Sequence, residues 1–233
     1  AGATLALAGQ GNIASSSGVA DNGVFNIAAT NAGAHIQSLS GSGSVLLGAQ
    51  TLTLTNAAGA FAGTVSGSGA VTVSGGVQQF SGANAYAGAT TIGTGGTLAL
   101  AGSGSIATSG GVADDGVFNI AATDHGAAIR TLSGSGSVVL GCKDLTLTHA
   151  SGSFAGTIDG GCGGVNVAGG TEVLSGANRY TGATTIGADA ALALSGSGSI
   201  ALSSGVADNG SLSIAAAGNG VQIKSLSGSG SVI

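Results

Sequence analysis

The chain has 233 residues, 43% of them hydrophobic and only 6% charged, with 48 Gly, no Pro and a net charge of −5. That balance excludes a basic nucleic-acid or anionic-membrane surface, and no apolar run approaches the roughly 18 residues of a membrane-spanning helix. It also excludes a disordered Gly/Ser linker, because the apolar residues are periodic and can be buried.

Pairs of apolar residues two apart recur down the chain: Leu5/Leu7, Phe25/Ile27, Val45/Leu47, Val71/Val73, Leu98/Leu100, Phe118/Ile120, Val138/Leu140, Val165/Val167, Leu192/Leu194 and Leu212/Ile214. Residues two apart lie on one face of a β-strand. The intervals between first members fall into two classes: a short one, as from Leu5 to Phe25, and a long one, as from Val71 to Leu98. Strands returning at such intervals without helices between them predict an all-β, right-handed parallel β-helix. About ten rungs of three short strands each, at ~4.8 Å per rung, give a rod of roughly 48 Å. Gly marks its corners, and the lack of Pro suits a backbone whose N–H groups all donate to the next rung.

A longer repeat overlies the rungs. Gly18-Val-Ala-Asp-Asn-Gly23 returns at Gly111 and again at Gly205, and Ser81-Gly-Ala-Asn-Ala-Tyr86 returns at Ser175. The chain therefore reads as one solenoid of super-repeats 1–95, 96–189 and a partial 190–233, each full copy holding two short and two long rungs. With no initiator Met and a rung just begun at Val232, it reads as an internal fragment. Phe25/Phe118, Phe61/Phe154 and Tyr86/Tyr180 are equivalent pairs, and Phe80 matches Leu174. Such interchange marks core residues rather than a sugar-stacking platform.

The segments Phe80-Ser-Gly-Ala-Asn-Ala-Tyr-Ala-Gly-Ala-Thr-Thr-Ile-Gly93 and Leu174-Ser-Gly-Ala-Asn-Arg-Tyr-Thr-Gly-Ala-Thr-Thr-Ile-Gly187, each followed by a Leu-Ala-Leu strand, carry a specific likeness. They resemble the passenger-associated transport repeat of bacterial autotransporters, with Ala87 in place of the usual Thr. The residues that carry the resemblance are Asn84, Tyr86, Thr90 and Thr91, and in the second copy Asn178, Tyr180, Thr184 and Thr185. The resemblance implies a β-helical passenger secreted by the type V route through an outer-membrane barrel, the barrel lying outside this fragment. It implies display at a Gram-negative cell surface as an adhesin or virulence factor. Partners would be host-cell surfaces, matrix or neighbouring bacterial cells. The repeat is associated with secretion and passenger folding and implies no catalytic step or cofactor.

Candidate chemistry is sparse. Asp21, Asp114 and Asp208 precede Gly-containing turns; at four rungs apart they cannot share a calcium ion, and Asp-Asn-Gly forms turns unaided. His35, His125 and His149 fall outside the repeat and have no recognisable metal-binding or triad spacing. Lys143, Asp144, Asp159, Glu172 and Arg179 concentrate charge in two long rungs. That gives an alternative, a polysaccharide lyase or hydrolase groove, set against a simple solvated face. Thr51, Thr53 and Thr55, with Thr146 and Thr148, resemble an ice-binding face, but the expected rung neighbours are Gln, Ser and Glu.

Cys142 and Cys162 predict a disulfide, with free thiols the alternative. The rung assignment sets them apart, one after a first strand and the other just before the next. Gly160, Gly161, Gly163 and Gly164 supply the backbone freedom to close that gap. The open terminal rungs add a further reading, self-association of rods.

Overall fold

The computed structural model describes residues 2–218 and 220–233. Every regular element in it is a β-strand, and the strands stack in parallel into a solenoid of about 11 turns. Three strands make each turn, so the predicted parallel β-helix is the fold. Among the described residues no helix is long and apolar enough to cross a membrane. Side chains alternate inward and outward, as in Leu52–Leu54 and Val165–Val167, where two buried residues flank one that is half-buried.

Three columns of in-register residues run along the coil. One contains Leu5, Phe25, Val45 and Val65, and on later turns Ala127, Leu145, Val165, Thr184, Val206 and Leu226. A second runs through Gln78, Leu98, Phe118, Val138 and Ile158. The third runs Ala34, Leu52, Val71, Thr90, Val112 and Leu132, and further on Glu172, Leu192, Leu212 and Val232.

Partners in these columns are always one similar turn apart, from Ala34 and Leu52 at the shortest to Thr90 and Val112 at the longest. The expected long rungs are therefore not rungs. Val45 pairs with Val65, whereas Val71 pairs with Leu52 and Thr90 lies beyond it. The long interval is one turn plus one face. A super-repeat, from Gly18 to Gly111 or Ser81 to Ser175, then spans four turns and two further faces rather than four turns. Each copy begins on a different face: Leu5 stacks on Phe25, Leu98 between Gln78 and Phe118, and Leu192 between Glu172 and Leu212.

The aromatic side chains fill the interior as the sequence predicts, beside inward polar residues such as Gln78 and Glu172 that it does not. All five Phe and both Tyr are buried, and Phe80 and its counterpart Leu174 are both buried. Phe61 and Phe80 on successive turns meet edge to face at 6.4 Å, a contact worth ~1 kcal/mol beyond its buried area. Leu226 and Val232 lie at one axial end and Leu5 at the other, and all three are about half exposed. At one corner Gly116, Gly136, Gly156 and Gly176 stack directly. A Cβ on any of the last three would run into the backbone of the glycine one turn before it, so this column tolerates no side chain.

Candidate functional site

The residues that carry the resemblance, Asn84, Tyr86, Thr90 and Thr91 with Asn178, Tyr180, Thr184 and Thr185, face mainly inward. Asn84 Oδ1 accepts from the N–H of Val65 at 3.0 Å, while its Nδ2 donates to the carbonyls of Gly82 and Ser105 at 3.1 and 3.2 Å. Val65 lies one turn before Asn84 and Ser105 one turn after, so one carboxamide ties three turns where the strand gives way to a corner. Asn178 repeats the arrangement with Ile158, Gly176 and Ser199 at 3.0, 3.1 and 3.1 Å. Asparagine suits the position because its short side chain offers an acceptor and two donors in one plane.

Beside each Asn runs a buried chain of hydroxyls. Tyr86 Oη is 2.6 Å from Thr90 Oγ1, which is 2.9 Å from Ser109 Oγ. Ser109 ends the chain on the carbonyls of Gly88 and Gly111, at 3.0 and 3.1 Å. Tyr180, Thr184 and Ser203 form the second copy at 2.7 and 3.1 Å. Burial drives the Tyr86 phenol well above its ordinary range and the Tyr180 phenol up to about 12, so both remain neutral donors. Sequence reasoning missed Ser109 and Ser203. Their signal was a Ser-x-Gly recurring one turn after each Thr, at the same interval from Thr90 to Ser109 as from Thr184 to Ser203.

Thr91 and Thr185 point outward. Thr53, Thr72 and Thr91 align on three successive turns, preceded by His35 and followed by Ala113; on a different column Thr146, Asn166 and Thr185 align in the same way. The expectation that threonines do not follow one another on successive turns is overturned for Thr53, because it rested on the overlong rungs. Beside Thr146 it holds, the neighbours being Ala128 and Asn166. The flanking Thr55 and Ser74 hydroxyls are already bonded to the carbonyls of Ile36 and Leu54.

Asp21, Asp114 and Asp208 close turns as predicted, each Oδ1 accepting from the N–H two residues on, at Gly23, Gly116 and Gly210. Each Oδ2 is buried without a partner. Burial pushes the Asp114 carboxyl up to about 7. The three equivalent residues stand on different faces of the coil rather than four rungs apart on one.

The charged group does not converge. Lys143 Nζ donates to the Asp124 carbonyl at 2.9 Å, and Asp144 Oδ1 accepts from the Gly164 N–H at 2.7 Å. Asp159 and Arg179 are at least partly exposed, but Glu172 is wholly buried inside the coil. Reading Glu172 as part of a solvated face or of a substrate groove is therefore corrected: alternation on Gly170–Leu174 turns it toward the axis with Leu174. Of the histidines, His35 and His125 are exposed and His149 lies on the outside of its corner. Among the described residues, no three His, Cys, Asp or Glu side chains stand together as a metal site would require.

Cys142 and Cys162 are disulfide-bonded, with Cα atoms 4.5 Å apart. Their separation of 20 residues is one turn, so the bond staples successive turns at one corner. The gap expected from the long rungs disappears with them. The chain matches no protein-family model, no curated protein and no solved structure.

Proposed function

We propose that this chain is a non-catalytic structural and adhesive segment of a secreted bacterial autotransporter passenger, a rigid rod standing off a Gram-negative cell surface. The observation that carries the reading is the Asn84 and Asn178 carboxamides, each tying the turn before it to the turn after it. Two of the four residues that carry the resemblance in each copy, the Asn and the first Thr, thus join one turn to the next. A chain emerging end-first from a barrel would gain these bonds turn by turn. Each completed turn then resists sliding back, a source of directionality where no nucleotide-driven chaperone acts.

The outward surface suits an adhesive role toward host cells, matrix or neighbouring bacteria. It is poor in charge and carries columns of small and hydroxylated side chains such as Thr53, Thr72 and Thr91. The test is secretion of the chain fused to an autotransporter barrel, with and without the turns that contain Asn84–Tyr86 and Asn178–Tyr180. Loss of surface display on deletion is the expected result. Equal display of the deleted form would sink the proposal.

A further inference from the structure

Gln78 is fully buried and reaches two turns back along its column. Its Nε2 donates to the Leu39 carbonyl at 3.0 Å, and its Oε1 accepts from the Leu39 N–H at 3.4 Å. The residue between them in the column is Gly59, as the Gln79–Ala60 and Gly41–Phe61 pairings fix. A Cβ at Gly59 would run into the Leu39 carbonyl. The missing side chain is what opens the path for the carboxamide.

The second super-repeat keeps this architecture at Leu132, Gly152 and Glu172, aligned through Gly134, Phe154 and Leu174. A Cβ at Gly152 would likewise meet the Leu132 carbonyl. Only the head group differs, a carboxyl in place of an amide. An ionised carboxylate only accepts and has nothing to offer a carbonyl, whereas a neutral carboxylic acid carries one donor and one acceptor, as the amide does. Neither Glu172 oxygen completes a hydrogen bond in this structure. The nearby backbone groups of Gly152 and Leu132 offset only part of the cost of burial, which pushes the carboxyl up to about 8.

Among the described residues no charged partner stands on the neighbouring strands to hold the carboxylate ionised. The segments packed against Gly170–Leu174 are Ser153–Phe154, Val165–Val167 and Ala190–Gly196, and none carries a titratable side chain. Leu132–Ser133, two turns back, carries none either.

We propose that Glu172 is a proton-operated latch: neutral, it clasps Leu132 across the Gly152 gap as Gln78 clasps Leu39, and on giving its proton to solvent it releases the turns it spans. The sign follows from linkage. A carboxyl raised in the folded state contributes stability that is complete below its unfolded value and is lost as pH rises through its folded value. Gln78 has no such dependence, so the two super-repeats respond differently to the same change in pH.

Native-state hydrogen exchange on the whole chain at pH 5 and pH 9, corrected for intrinsic rates, tests this. In the wild type, protection at Leu132–Ser133, Ser153–Phe154 and Gly170–Leu174 falls roughly tenfold or more, the equivalent of one unit of carboxyl shift. In Glu172→Gln protection at Ser153–Phe154 and Gly170–Leu174 stays level, while Leu132–Ser133, paired with the strand that holds the raised Asp114 carboxyl, keeps only the fall due to Asp114. The Gln78 region stays level in both, and the comparison is judged at Ser153–Phe154 and Gly170–Leu174. A parallel loss in Glu172→Gln, or no loss in the wild type, overturns the latch. A carbon-detected NMR titration of the wild-type Glu172 carboxyl gives a second reading that needs no variant to fold. A midpoint above neutrality is expected, and one near the ordinary glutamate value overturns the proposal.

Discussion

The hydroxyl of Tyr86 lies 2.6 Å from Oγ1 of Thr90, four residues later and inside the coil. Through Thr90 it reaches Ser109 one turn on, so a phenol, an alcohol and a second alcohol form one wire of donors ending on backbone carbonyls. Buried polar groups are costly when unpaired, and here each is paired with the next.

Removing the first link of the equivalent wire leaves a buried hydroxyl short of a partner. Tyr180→Phe is expected to destabilise by about 1–2 kcal/mol, read by denaturant unfolding. In the double variant with Thr184→Val the combined loss falls short of the sum of the singles, because both break the same contact. Full additivity would show that the hydroxyls act independently.

Asn84→Leu removes three hydrogen bonds and leaves the Val65 N–H and Ser105 carbonyl without that partner. A loss of roughly 2–4 kcal/mol follows. Hydrogen exchange should show it confined to the turns holding Val65, Asn84 and Ser105, since a solenoid couples mainly to its nearest turns.

Gly156→Ala places a methyl against the Gly136 carbonyl. Its cost is that of overpacking, about 1–3 kcal/mol. Gly161→Ala, with open space around the added carbon, serves as the control and should leave the melting temperature unchanged.

Reducing the Cys142–Cys162 bond frees a loop of one turn. In the chain-entropy account this costs about 3 kcal/mol. Thermal melts with and without reductant should differ in the wild type and coincide in a Cys142→Ser, Cys162→Ser double variant.

The Asp114 carboxyl, raised by burial to about 7 from an ordinary 3.8, contributes stability that is complete below the unfolded value. That stability is lost as pH rises through about 7. Asp114→Asn keeps the acceptor that closes the turn onto Gly116 and should flatten this part of the pH profile. Melting temperatures from pH 4 to pH 8 that fall equally in both proteins would contradict the assignment.

Strand identity was legible from Leu52-Thr-Leu54 and its like, because alternation between an apolar interior and water leaves a two-residue signature. The aromatic core was legible too, since Phe25 and Phe118 recur in register. The length of a turn was not. Where Gln78, Asn84 and Thr90 occupy inward positions on consecutive strands, the interior is polar, and a hydrophobic period passes over those strands. What registered as a long rung from Val71 to Leu98 was three inward polar residues satisfied by hydrogen bonds that only the folded coil supplies. The long intervals from Val45 to Val71 and Val138 to Val165 instead passed over Val65 and Ile158, single inward apolar residues without a second apolar partner two residues on. Glu172 was illegible for the same reason: a lone carboxylate in a sequence looks like surface.

The two extra faces left over in each super-repeat have a consequence for anything that meets this rod from outside. Successive copies of one surface patch wind around the shaft like steps of a spiral stair, so Thr91 and Thr185 look out in different directions. A partner that read the turn beginning at Gly18, whose copies at Gly111 and Gly205 put it on all three faces, would meet the rod without any particular rotation about its length.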